Sequence, residues 1–126
     1  MPIHTQVDLE RQLTIHTVKG EVFFDETMST FKTFYLGNPT LNVLWDFREG
    51  TLVQLSSIQI KTLADFVAKS SKTRIGGKTA GVTPNDIDFG LGRLFSTLTE
   101  MSGYKPTIRI FRQFQDAVDW LLGNNR

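Results

Sequence analysis

A glycine pair followed by lysine and threonine, Gly76-Gly77-Lys78-Thr79, has the residue types with which a P-loop cradles phosphate on backbone amides and a lysine. The spacing excludes that chemistry. The motif's first glycine would fall at Lys72, and Lys78-Thr79 run toward Pro84 as a strand instead of opening a helix. Asp88-Phe89-Gly90 spells a kinase tripeptide, but 126 residues cannot hold that fold and no lysine-bearing glycine-rich loop precedes it. His4 and His16 are the only histidines, and both lack a carboxylate at metal-ligand spacing. They are expected at the surface or sheet edge, with no metal site. No Gly-x-Ser-x-Gly elbow serves a hydrolase, and nucleophile, base and oxyanion donors do not converge. The expectation is a protein that is not an enzyme and carries no cofactor.

Other polar groupings fall at helix starts. Asp25-Glu26 and Asp86 with Asp88 are explained by capping and by the positive end of the helix dipole. Ser56-Ser57 has two readings, an N-cap or a site where a phosphate would add about −1.5 to −2 charges. Gly90 and Gly92 each cost a helix roughly 0.5 to 1 kcal/mol relative to alanine. Close packing against the sheet offsets that on one reading. On the other, open backbone amides with Arg93 beside them admit a ligand.

The elements that position these residues follow from period and punctuation. Val7, Leu9, Leu13 and Ile15 alternate around a polar Glu10-Arg11-Gln12, which predicts a hairpin or bent strand. Met28, Phe31 and Tyr35 recur at helical spacing until Gly37 and Pro39. Leu41 to Phe47 alternates yet keeps Leu44 on its second face, as suits a central strand covered on both sides. A second helix runs from Ser56 through Leu63 and Val67 to Gly76-Gly77, a strand spans 78–83, and a third helix runs from Pro84-Asn85-Asp86 to Gly103. A strand at 107–112 and a helix from Phe114 to Leu121 complete the order ββαβαβαβα. Single helices between strands imply an α/β fold with a mostly parallel sheet, an antiparallel amino-terminal edge strand and flanking helices. Ligands of such sheets bind beyond the strands' carboxyl ends. That rule nominates four loops, at 20–25, 46–57, 83–88 and 112–114, with Asp46, Arg48, Asp86, Asp88, Gly90 and Arg93 as the candidate ligand rim.

Length and composition support one domain over 1–126 without a linker or repeat: 40% apolar and 21% charged is an ordinary globule. Zero cysteines exclude disulfides, a thiol nucleophile and zinc fingers, and make the cytoplasm the expected address. Apolar runs of at most three residues predict no membrane span. Residues 1–60 carry four Lys/Arg against seven Asp/Glu and residues 61–126 ten against six, so the halves hold −3 and +4. The cations Lys61, Lys69, Lys72, Arg74 and Lys78 are read as a solvated helix end. A pI of 8.1 is low for a nucleic-acid binder, and no nucleic-acid partner is expected.

The run Asp88-Phe89-Gly90-Leu91-Gly92-Arg93-Leu94-Phe95, then Ile108-Arg109-Ile110-Phe111, Ala117 and Trp120-Leu121, resembles the SpoIIAA-like group of bacterial proteins. These are distant relatives of STAS domains, the anti-sigma-factor antagonists. The resemblance implies a superhelix of βα units with a parallel core, and the CRAL-TRIO lipid-binding proteins as structural cousins. In the antagonists, a loop after the central strand carries an acidic-Ser-Ser-Gly motif on which a partner kinase acts. Leu55-Ser56-Ser57-Ile58 occupies that place, with leucine for the acid and isoleucine for the glycine. The expected function is therefore a regulatory protein-interaction module, switched near Ser56 or Ser57 and docking an unidentified protein or a second copy as a homodimer. The alternative is a carrier of a small apolar or lipid-like ligand, suggested by ten phenylalanines and two tryptophans.

Overall fold

Alternation in β1 (Ile3–Asp8) and β2 (Leu13–Glu21) closes into the antiparallel hairpin the sequence predicts, because Gln12 turns the chain at φ 51° and donates its amide to Leu9 O. The computed structural model describes residues 2–123. Helix α1 (Phe24–Leu36) leads to β3 (Asn42–Thr51), α2 (Ser57–Ser70) to β4 (Lys78–Val82), and α3 (Asp86–Met101) to β5 (Thr107–Phe111). Helix α4 (Phe114–Leu121) ends the described fold. The sheet order is β1-β2-β3-β4-β5, with β1 antiparallel to β2 and every other pair parallel. The predicted element order holds, and β3 is central.

Each strand of the parallel part adds to the same side of the last. Helices α1, α2 and α3 pack in one core with Val43, Trp45 and Phe47, so the three crossovers wind the same way. Leu44, Ala80 and Val82 point to the opposite face, where Ala117 and Leu121 of α4 cover them. Burial of Val43 to Phe47 on both sides explains why leucine and aromatics alternate there without a polar face.

The second helix stops earlier than Gly76-Gly77. It ends at Ser70, and a 3₁₀ turn, Ser71–Arg74, folds the chain inward. Gly77, just before β4, then lies against the Leu41 carbonyl, which a Cβ would overlap, so only glycine fits.

Candidate functional site

At the carboxyl end of the sheet, Asn85 caps α3 by accepting the Asp88 amide at 2.8 Å. Asp88 does more than cap. Its carboxylate, 1% exposed, accepts from the Thr51 hydroxyl and the Leu52 amide, both at 2.9 Å, and from the Asn85 side chain at 2.8 Å. One buried anion thus ties the start of α3 to the loop between β3 and α2. The same loop reaches β2, since Gln54 donates to Glu21 and the Val22 amide to Thr51 O.

Beyond the tie, Ser56 forms a reciprocal capping box with Gln59: its Oγ accepts the Gln59 amide at 3.1 Å while Gln59 accepts the Ser56 amide at 3.0 Å. Ser57 is exposed in the first turn, and no hydrogen bond of its hydroxyl is found among the described residues. The flanking positions separate by role. Leu55 is buried in the core, whereas Ile58 is 78% exposed. Val53, Ile87 and Phe23 are also exposed along this end, at the loop, the α3 start and the N-cap of α1. Glu26 accepts the Phe23 amide at 3.2 Å, so that acid caps its helix as the sequence suggests.

The candidate ligand rim is split by the sheet. Asp46 and Arg48 pair at 2.9 Å on the α4 face, with the Arg48 guanidinium 3.9 Å from the Phe114 ring centre. The Asp46 hydrogen bond holds the Arg48 pKa above its usual value. On the α3 side Asp86 pairs with Arg112 at 2.7 Å, and Arg112 and Arg93 both lie over the Phe89 ring. Gly92 and Gly90 also part company. A Cβ at Gly92 would meet Ile110 at 3.3 Å, which is the close helix-to-sheet packing anticipated for both; one at Gly90 would meet open space.

Three basic residues fall where the sequence reading did not place them. Arg74 is not a solvated helix end: it is 1% exposed, and all five of its N–H groups are satisfied. They donate to Thr40 O, Leu41 O and Lys78 O at 2.8 to 3.0 Å and to the Tyr35 and Tyr104 hydroxyls at 3.1 and 2.7 Å. Burial raises the Tyr35 pKa beyond the ordinary tyrosine range. His16 is not a surface residue either. It is 2% exposed, with its ring 4.3 Å from Trp45 and edge-on to Phe34, and Nδ1 is 2.8 Å from the Thr5 hydroxyl. Burial, helped by Arg74, lowers its pKa from 6.5 to about 4. Lys78 likewise turns inward onto Trp120 O at 2.9 Å.

This arrangement is that of the SpoIIAA-like, STAS-type fold. The chain is similar to the solved structure of the anti-sigma factor antagonist SpoIIAA in its unphosphorylated form, with a TM-score of 0.55, 13% identity, and 96% of this chain and 98% of that one covered. It is similar also to an anti-sigma factor antagonist from Mycobacterium paratuberculosis, at TM-score 0.55 and 19% identity over 94% and 93% of the two chains. No protein-family model and no curated protein matches the sequence. Among the described residues no helix is long and apolar enough to cross a membrane.

Proposed function

We propose that this chain is a regulatory, non-enzymatic interaction module that docks a protein partner through the β3–α2 loop and the first turn of α2. The carrying observation is the pairing of exposed Ile58 and Ser57 on a loop that buried Asp88 holds in place. Fixing the loop before binding lowers the ordering cost of the contact. Val53 and Ile87 extend the apolar surface, and the two solved structures of this fold are named for antagonism of another protein. Phosphorylation falls on Ser57 in this reading, because Ser56 Oγ is engaged in its capping box. A phosphate beside Ile58 would put about −1.5 to −2 charges into the apolar contact and release the partner.

The test is photocrosslinking in cells from a reactive amino acid at position 58, with Met101 at the far end of the molecule as control. The expected result is one dominant adduct from 58, whose purified partner loses at least tenfold in affinity (about 1.4 kcal/mol) on Ile58→Asp or Ser57→Asp and nothing on Met101→Asp. Equal adducts from both positions, or unchanged affinity in both loop variants, refute the docking surface. Adducts to a second copy would replace a separate partner by a homodimer. The carrier reading has less support, since the apolar cavity of about 80 Å³ is far below the roughly 300 Å³ of ordinary ligand pockets.

A further inference from the structure

The sheet has two outer strands, and their free edges are not alike. Strand β5 is guarded as exposed edges usually are: Pro106 stands just before it, Arg109 sits at its centre, and Lys105 and Arg112 flank it. Strand β1 has no such guard. From Ile3 to Asp8 there is no lysine, arginine or proline, its one acid, Asp8, pairs with Arg11 at 3.6 Å, and among the described residues only β2 pairs with the strand. The Lys19 amide, which donates to Pro2 O at 2.8 Å, fixes which backbone groups are used. Antiparallel pairs alternate, so His4, Gln6 and Asp8 turn their backbone groups to β2, and Ile3, Thr5 and Val7 turn theirs outward. An unpaired row of that kind is a template for another strand.

The geometry points to a second copy of this chain as the occupant, added antiparallel along β1 with the two-fold axis at Thr5. That register sets Ile3 against Val7 of the other copy, Thr5 against Thr5 and Val7 against Ile3, which gives about six backbone hydrogen bonds. A slip of two residues either way leaves Ile3 or Val7 facing no residue of the opposite strand. Side chains favour the same register. Ile3, Thr5 and Val7 lie on the α1 face, where Val7 is 56% exposed across an open groove from Thr30 and Thr33, so Ile3 of the second copy covers it. On the opposite face, Asp8 of one copy falls beside Pro2 of the other, one strand from Lys19, a cation with no ion pair among the described residues. Charge is therefore complementary across the axis. Two six-residue strands make a contact at the small end of specific interfaces, below about 1,200 Å² in total, so the dimer is weak and dissociates on dilution. Ser57 and Ile58 take no part in this contact.

Sedimentation equilibrium over a dilution series should show a species of twice 14.3 kDa giving way to the monomer. Hydrogen exchange reads the register. The amides of Ile3, Thr5 and Val7 should gain protection as protein concentration rises, whereas those of His4 and Gln6, bonded to β2, should be protected at every concentration. Val7→Pro removes one outward N–H and spares the ladder to β2, and it should weaken the dimer at least tenfold. Val7→Lys keeps that N–H but sets a cation on the edge, and should weaken the dimer comparably, which provides the comparison should the proline variant fail to fold. Ile58→Asp should leave the dimer constant within about twofold, which separates this contact from the docking surface on α2. A monomer at every concentration, or protection of Thr5 and Val7 that does not change on dilution, overturns the edge contact. So does a dimer that survives both Val7 variants, or one that Ile58→Asp dissociates.

Discussion

The two ends of the parallel sheet each bury one charged side chain that has no ion-pair partner among the described residues, Arg74 at one and Asp88 at the other, and they use it differently. At the amino ends of β3 and β4, the Arg74 cation spends all five donors on three backbone carbonyls and two tyrosine hydroxyls. At the carboxyl end, the Asp88 anion gathers two loops through a hydroxyl, an amide N–H and an asparagine side chain. The first arrangement ties the segment entering β3 to the start of β4 through their carbonyls. The second fixes the loop that presents Ser57 and Ile58 outward. A buried charge without an opposite partner is tolerated only when hydrogen bonds replace its hydration, and both ends meet that condition with neutral groups. Removing either charge therefore leaves unpaired groups behind, but only one of the two losses should reach the candidate interface.

Arg74→Met breaks the comparison most severely. It strands three carbonyls and two hydroxyls, and should cost about 3 to 5 kcal/mol in denaturant unfolding. A loss below about 1 kcal/mol would mean that water replaces the network.

His16, beside that network, comes next. Its folded pKa near 4 lies below the ordinary 6.5, so the unfolded chain takes up the proton first as pH falls. The stability is fully present above pH 6.5 and is lost as pH falls toward 4, by about 3 kcal/mol. Denaturation at successive pH values should show that slope, and His16→Phe should flatten it. An equally steep slope in the phenylalanine variant would assign the effect to other groups.

Asp88→Asn sharpens the difference between the ends. Keeping one acceptor oxygen and losing the charge should cost about 1 to 2 kcal/mol and speed hydrogen exchange at the Leu52 amide, while the amide of Lys78 at the other end stays protected. Faster exchange at both would show that the two ends open together.

Much of this was readable before any coordinates. The polar Glu10-Arg11-Gln12 between alternating strands became the hairpin turn, and the leucine on the second face of the aromatic strand marked it as central. Glu26 and Ser56 behave as caps because capping is local, satisfied within about four residues. Arg74, His16 and the end of α2 were misplaced for the opposite reason. Nothing near Arg74 in the chain announces that Thr40, Tyr35 and Tyr104 will supply its acceptors, at separations of 30 to 39 residues. A lysine-rich helix end reads as solvated when only its neighbours in sequence are counted.

The candidate rim divides along the same line. Spacing alone put Asp46, Arg48, Asp86 and Asp88 near strand ends, which the fold respects, but strand pleating sent the first two to the α4 face and crossover geometry brought Asp88 to the other loop. Apolar periodicity determined the elements and their order, because burial of a stripe or a face is decided within each segment. Which polar atoms meet and what an arginine can donate to were decided only when distant segments packed, since a hydrogen bond depends on distance and angle that no one-dimensional pattern carries.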